Sequence, residues 1–388
     1  MSRYSIFGYY GHGNAGDEAI LSALINGIKK NITDAKIVAY SADPQETRLT
    51  HEIESYKFFS LDPISFIKGV IGRSRKNYIS SLINFIKTDI VIIGGGGIFF
   101  DTPQESRWLF GYTNLIKTAK KFNKKVAIVG VSIGPVHNTE SEKAITDAFR
   151  LVDLISVRDC KSKELLNKYY IDPEKVHIIP DLVFTLESCP ASRVESILLQ
   201  ENLNFNVKKT ISLTPCCYNK NKQGWIDQYV SFCQSAIKEL GANIVLIPMQ
   251  RNGTHNDHEA ALDIFNSLDL ESQKHTFVLQ GTYAANEIQG VLSRSHFILA
   301  ERLHGSIMAI NTGTPFASIA YMPKVDGVLS LAKLNDRKVT MEDFLSGIYK
   351  SRAINFIQFA EQDSEKLLAS MKNAKAEARR IFKQLKDI

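Results

Sequence analysis

Arg302, His304 and Lys324 are the side chains of this 388-residue sequence best suited to hold a small, multiply charged anion. Arg302-Leu303-His304 follows an apolar run at 297–299 and opens a helical pattern, so guanidinium, imidazole and helix-terminal N–H groups are aimed at one spot. Glu301 stands just before them. Twenty residues past His304, after the next apolar run, comes Tyr321-Met322-Pro323-Lys324-Val325-Asp326, with Lys324 placed to point into the same cleft. Acid, guanidinium, imidazole and ammonium at adjacent strand ends are the makings of an anion site. A purely structural charge network is the weaker alternative.

Three further loops are arranged the same way. Residues 11–18 read Gly-His-Gly-Asn-Ala-Gly-Asp-Glu, and Gly11, Gly13 and Gly16 match a dinucleotide-binding GxGxxG between a strand and a helix. Asp17 and Glu18 would repel a phosphate there, and the nearest acid after the next strand, Asp43, lies farther on than a ribose-binding residue should. Asp17 alone is explained as a first-turn acid favoured by the helix dipole. Three glycines with Asn14 are better explained by a ligand. Gly94, Gly95, Gly96 and Gly97 follow an apolar strand, where four glycines cost too much chain entropy to be an ordinary turn. Close approach of a ligand or of another backbone is expected there. Ser132-Ile133-Gly134-Pro135 ends the next strand; His137 beyond it reads as a surface histidine. In Ser156-Val157-Arg158-Asp159, Asp159 is expected to cap the helix beginning at Cys160. Arg158 either holds a carboxylate or phosphate, or pairs internally with Asp159 or Asp181.

The elements that must position these residues are short β-runs alternating with helical patterns. Strands are predicted at 5–10, 35–40, 89–93, 126–132, 154–157 and 176–179, then at 210–213, 243–247, 276–279, 297–299 and 315–319. Continuous apolar strands separated by helices imply parallel sheets covered on both faces. The fold class is therefore α/β: two doubly wound Rossmann-like domains facing across a cleft, with a C-terminal helix. The predicted boundaries are an N-terminal domain at 1–188 on the acceptor side, a linker at 189–209, a C-terminal domain at 210–340 on the donor side, and a helical extension at 341–388. Residues 63–87, with Lys68, Arg73, Arg75 and Lys76 among apolar residues, read as an amphipathic helix pair with a basic face, or as a surface for peripheral contact with anionic lipid.

Composition narrows the classes. Hydrophobic residues make up 44% and charged residues 23%, which excludes disordered and collagen-like chains. The net charge of +6 suits anionic ligands without marking a nucleic-acid binder. Five scattered cysteines form no CxxC pair, against both a disulfide framework and a zinc site, so a cytoplasmic protein without metal is expected. The longest apolar run, 90–100, is too short to span a bilayer, and the N-terminal residues lack the pattern of an export signal.

The ordered set Gly8-Tyr9-Tyr10-Gly11-His12-Gly13-Asn14-Ala15-Gly16-Asp17-Glu18-Ala19, Gly94 to Gly97, Ser132 to Pro135, Ser156 to Asp159, Arg302-Leu303-His304 and Pro323-Lys324-Val325 resembles the polysaccharide pyruvyl transferase family, over roughly residues 4 to 335. The resemblance implies a GT-B-like fold, phosphoenolpyruvate as donor, no separate cofactor, and a saccharide acceptor, lipid-linked or free, converted to a pyruvate ketal. It implies catalytic roles for His304 and Arg302. Arg158, Lys324, Leu303, Asn14, Asp17, Gly13, Gly96 and Gly97 are then expected to bind substrate. The chain departs from the family pattern at Ile98-Phe99-Phe100-Asp101, where a Gln usually precedes the Asp, and at Tyr321-Met322, where an Asp often precedes the Pro. Both departures bear on the acceptor. A nucleotide-sugar glycosyltransferase of the same architecture and a non-catalytic sugar- or nucleotide-binding protein stay open on the residues alone, and a nicotinamide oxidoreductase rests on the GxGxxG match only.

Overall fold

The computed structural model describes residues 2–388 except 60–70, 72–74, 103–105, 206, 217–221, 253–255, 351–353, 355–356 and 358–363. It divides into two compact units, one of residues 1–12, 20–185 and 376–388, the other of residues 13–19 and 186–375.

The first unit is built on seven strands: β1 (Arg3–Phe7), β2 (Lys36–Ser41), β3 (Glu54–Lys57), β4 (Ile90–Phe99), β5 (Lys125–Ile133), β6 (Leu154–Val157) and β7 (Val176–Ile178). They lie in the order β3-β2-β1-β4-β5-β6-β7, every adjacent pair parallel. The strand order reverses between β1 and β4, which makes that junction the switch point of a doubly wound sheet. Strand interiors such as Val91, Ile92 and Ile93 are buried, as both faces of the sheet are covered by helices.

The second unit repeats the plan with β8 (Thr210–Thr214), β9 (Asn243–Leu246), β10 (Thr276–Val278), β11 (Phe297–Ala300), β12 (Phe316–Ala320) and β13 (Lys338–Thr340) in the order β10-β9-β8-β11-β12-β13. Its switch point lies between β8 and β11. The two sheets share a device: a central-strand hydroxyl meets the hydroxyl just before its neighbour strand, Ser5 with Thr88 at 2.6 Å and Ser212 with Ser295 at 2.6 Å. Each pair satisfies two buried polar groups at once.

Eleven of these strands coincide within a few residues with the predicted runs. The edge strands β3 and β13 were missed because Glu-Ser-Tyr-Lys and Lys-Val-Thr are short and polar. The larger difference is at β4, which does not stop before the glycines. It pairs with β5 through Gly94, Gly96 and Gly97 as far as Phe99. The segment read as a linker carries a helix, Ala191–Gln200, whose Val194, Ile197 and Leu198 are buried. After it Glu201 fixes the turn at Gln280 and Gly281 through their backbone N–H groups at 2.8 Å. Of the basic stretch 63–87, Lys68 and Arg73 lie outside the described residues, while Arg75–Ile86 is helical. The C-terminal helix is Ser364–Asp387, burying Leu367, Ala374, Ala378, Ile381, Phe382 and Leu385. No described helix is long and apolar enough to cross a membrane.

Candidate active site

The switch point of the second sheet is where the chemically active residues gather. Strand β11 ends at Ala300; the backbone N–H groups of Glu301 and Arg302 both reach the Thr214 carbonyl at the tip of β8, each at 3.2 Å. From there the two side chains part.

Glu301 turns inward. Its carboxylate is fully buried and accepts from the Cys216 backbone N–H at 2.8 Å, the Tyr229 hydroxyl at 2.9 Å and the Trp225 indole N–H at 3.1 Å. Burial drives its pKa from an ordinary 4.5 to about 7, against the pull of those donors. The acid of the sequence constellation thus organises the core beneath the site and is not presented to a ligand.

Arg302 is the N-cap of the Leu303–Thr312 helix and meets Asp257 in a two-pronged ion pair, Nε to Oδ2 at 2.8 Å and Nη2 to Oδ1 at 2.6 Å. Asp257 has no exposed side-chain surface, and it also accepts from the Met249 and Gln250 backbone N–H groups at 3.2 and 3.0 Å. Burial pushes the Asp257 carboxyl up, while Asp257 raises Arg302 against the opposing effect of burial. Arg302 is therefore locked as a cation with its Nη1 edge left over from the carboxylate. Asp257 is the partner of the candidate site that the sequence does not reveal, since in sequence it is one first-turn acid after the Asn256 cap.

His304 occupies the second position of the same helix, half-buried. Leu303 beside it sends its side chain into the core. The glycine loop belongs with this unit and docks on the segment after β9: Ala15 N–H donates to the Met249 carbonyl at 2.8 Å, Arg251 N–H to the Gly13 carbonyl at 3.1 Å, and Asn14 bridges Gln250. Asn14 Oδ1 accepts from Gly16 N–H at 2.9 Å, shaping the entry to the Ala15–Asn31 helix. A Cβ on Gly16 would overlap the His304 ring at Nδ1. Gly13, with a φ of 68°, lies against Asn252. Gly13 and Gly16 are thus each required by a close neighbour, which for Gly16 is the candidate catalytic imidazole. Gly11 lies in the first unit, pressed on Ser41 and the Asp43 backbone, and Asp43 itself caps the Pro44–His51 helix. That cap engages Oδ1 of the acid nearest to where a nicotinamide ribose would need one. Asp17 stands half-buried in the first helical turn.

Lys324 follows β12 at the second position of the Pro323–Leu331 helix, its ammonium 5.3 Å from the centre of the Tyr321 ring. Arg302 and Lys324 both act to lower the Cys216 thiol, although its burial dominates and raises it. Asn14, Gly13, Arg302, Leu303, His304 and Lys324 accordingly share one unit.

The remaining expected residues lie in the first unit. Arg158 is enclosed: its guanidinium pairs with Asp181 and its Nε donates to Ser132 Oγ at 2.8 Å, with 3% of its side chain exposed. Of the two readings of Arg158, the internal pair with Asp181 is the one observed. Asp159 caps the Cys160–Lys168 helix through Ser162 N–H at 2.8 Å, as expected. Gly94 and Gly95 are demanded by packing, since a Cβ on either would run into Leu24 or Ile20 of the Ala15–Asn31 helix. Gly97 differs, because a Cβ there would meet nothing within 4 Å. Gly96, at a φ of 76°, is held in the left-handed region. Among the described residues, no three His, Cys, Asp or Glu side chains gather as a metal would need.

Comparison with known proteins gives the same direction. The chain is 22% identical over 367 residues to the amylovoran biosynthesis protein AmsJ of Erwinia amylovora, covering 86% of this chain and 87% of that one. Among solved structures it resembles the UDP-GlcNAc 2-epimerase of Neisseria meningitidis bound to UDP-GlcNAc, with a TM-score of 0.62 at 13% identity and 99% of each chain covered. It also resembles Anabaena Alr3699/HepE in complex with UDP and glucose, with a TM-score of 0.61 at 11% identity, 99% of this chain and 98% of that one. At such identities the likeness is one of fold, and the fold is α/β and GT-B-like. The family model of polysaccharide pyruvyl transferases matches residues 14–322, from the glycine loop past β12, and the chain belongs to that family.

Proposed function

We propose that this protein transfers the enolpyruvyl carbon skeleton of phosphoenolpyruvate to two hydroxyls of one sugar, forming a pyruvate ketal and releasing phosphate, on a saccharide destined for a cell-surface polysaccharide. The observation that carries this reading is the placing of Arg302, His304 and Lys324 in the first turns of two helices after the adjacent parallel strands β11 and β12. Phosphoenolpyruvate brings a carboxylate and a phosphate of roughly −1.5 to −2 charge. A guanidinium, an ammonium and two helix N-termini are a fitting counterpart.

Chemistry follows from charge. A proton delivered to the methylene carbon of the donor leaves C2 electrophilic. One acceptor hydroxyl adds to C2 and loses its proton, the C–O bond to phosphate breaks with its electron pair leaving on phosphate, and the second hydroxyl adds to C2 to close the ketal, its proton passing to the departing phosphate. His304 is the acid or the phosphate contact, because an imidazole can donate either a proton or a hydrogen bond to an oxyanion. Arg302, held by Asp257, is a fixed cation that needs no reorganisation as phosphate departs. Asn14 and Gly13 shape the loop beside His304, and Asp17 is a weaker candidate for orienting the acceptor hydroxyl. Arg158 serves through the integrity of its own unit. A cytoplasmic protein working beside the inner membrane face on a lipid-linked acceptor fits the basic stretch 63–87.

The test is phosphate release from phosphoenolpyruvate across a panel of hexoses and lipid-linked oligosaccharides, paired with thermal denaturation. Phosphoenolpyruvate should raise the melting temperature by mass action and sugar nucleotides should not. Stabilisation by a sugar nucleotide alone would replace the reading with glycosyl transfer.

A further inference from the structure

We propose that Tyr9, His12 and Trp108 form a stacking platform for a pyranose ring, a saccharide subsite in the first unit. The Tyr9 and His12 rings lie parallel with centroids 4.0 Å apart and 12° between planes. Trp108 stands at right angles to both, 5.9 Å from Tyr9 and 6.0 Å from His12. The indole is 43% exposed, whereas the other tryptophan, Trp225, is 1% exposed and spends its N–H on Glu301. Single exposed apolar residues are common on any protein. Three mutually oriented rings of which the largest faces solvent are not.

Placement and chemistry name the occupant. Tyr9 and His12 follow β1, and Trp108 opens the Arg107–Lys121 helix that follows β4, the two strands flanking the switch point of the first sheet. Ligands of doubly wound sheets bind beyond that junction. On the same strand end Gly97 is exposed, and a side chain there would enter open space. Packing does not ask for glycine at that point, so the room it leaves serves something outside the fold. Each ring of the cluster joins an apolar face to a polar tip: indole N–H, phenol hydroxyl, imidazole nitrogen. A pyranose matches this, with a face of C–H bonds to lie on the exposed indole and a rim of hydroxyls to meet its N–H, while an acyl chain has no polar rim to offer it. The platform rests on the proposed transfer only in taking this sugar to be the acceptor.

Fluorescence can read it directly, because the buried Trp225 is a silent reference for the exposed Trp108. Acrylamide quenching of the full chain is followed with methyl α- and β-pyranosides of glucose, galactose, mannose and N-acetylglucosamine, and with uridine. At least one glycoside should shield Trp108. Tyr9→Ala, which keeps the reporter, should weaken that glycoside about tenfold, as should Trp108→Ala by calorimetry, while Trp108→Phe keeps most of the binding. Both alanine variants should retain their circular dichroism and their stabilisation by phosphoenolpyruvate. Absence of shielding by every glycoside, shielding by uridine alone, or unweakened glycoside binding in both alanine variants overturns the platform. Failure of the donor reading would show separately, as a wild-type chain that phosphoenolpyruvate does not stabilise.

Discussion

Replacing Gly16 by alanine sets two effects against each other: a better helix former in the first turn, worth up to about 1 kcal/mol, and a methyl group driven into the His304 ring, costing about 1–3 kcal/mol. The clash wins, so Gly16→Ala should lower the denaturation midpoint and depress turnover with phosphoenolpyruvate, both measurable on one preparation. His304→Ala removes the ring instead, and should abolish phosphate release while the circular dichroism spectrum is unchanged. Arg302→Ala cannot be read so simply. It strands the Asp257 carboxylate, which is fully buried, and breaking such a pair from one side costs about 3–5 kcal/mol. Arg302→Ala with Asp257→Asn should recover part of that stability without recovering activity. The same reasoning applies to Arg158→Ala, which uncovers Asp181 in the first unit and should destabilise by a similar amount, seen as a lower urea midpoint. These pairings could not be read in advance. A sequence shows that an arginine follows a strand, but the acid it meets can lie anywhere, as Asp257 does, 45 residues before Arg302.

Elements with strong local patterns were legible, and those set by neighbours were not. Apolar β-branched runs fixed the positions of the central strands, and Asp159 announced the start of its helix because a cap acts within a few residues. Strand β4 was cut short in the sequence reading because four glycines look like a turn. What keeps them extended is pairing with β5, and what requires two of them is the flank of a helix some 70 residues earlier, neither of which is local. The tip of β11 carries a pH dependence of its own. Glu301, raised by burial from 4.5 to about 7, keeps in the folded state a proton that the unfolded chain releases. Its contribution is complete below pH 4.5 and is lost as pH rises through about 7, up to about 3 kcal/mol in all. Unfolding by urea over that range should show stability falling with pH in the wild type, and a flatter profile in Glu301→Gln. Parallel profiles for the two proteins would rule out the assignment.

Across the whole molecule, neither compact unit is a contiguous stretch of sequence. The reading of domains as 1–188 and 210–340 followed the order of the strands, which is the only order a linear pattern reveals. The end of the Ser364–Asp387 helix belongs instead with the first unit, where the Phe382 ring lies so close over Gly27 that a Cβ there would overlap it. Phe382→Ala should cost about 3–5 kcal/mol and be felt in the first unit, as loss of hydrogen-exchange protection near residues 20–31. Membership of residues 13–19 in the second unit has a consequence for anyone recombining relatives of this protein. A hybrid spliced near residue 186 joins a glycine loop from one parent to the imidazole, Asn252 and Met249 of the other. Such crosses will be inactive unless those seven residues travel with the carboxyl-terminal parent, however well each half matches its own ancestor.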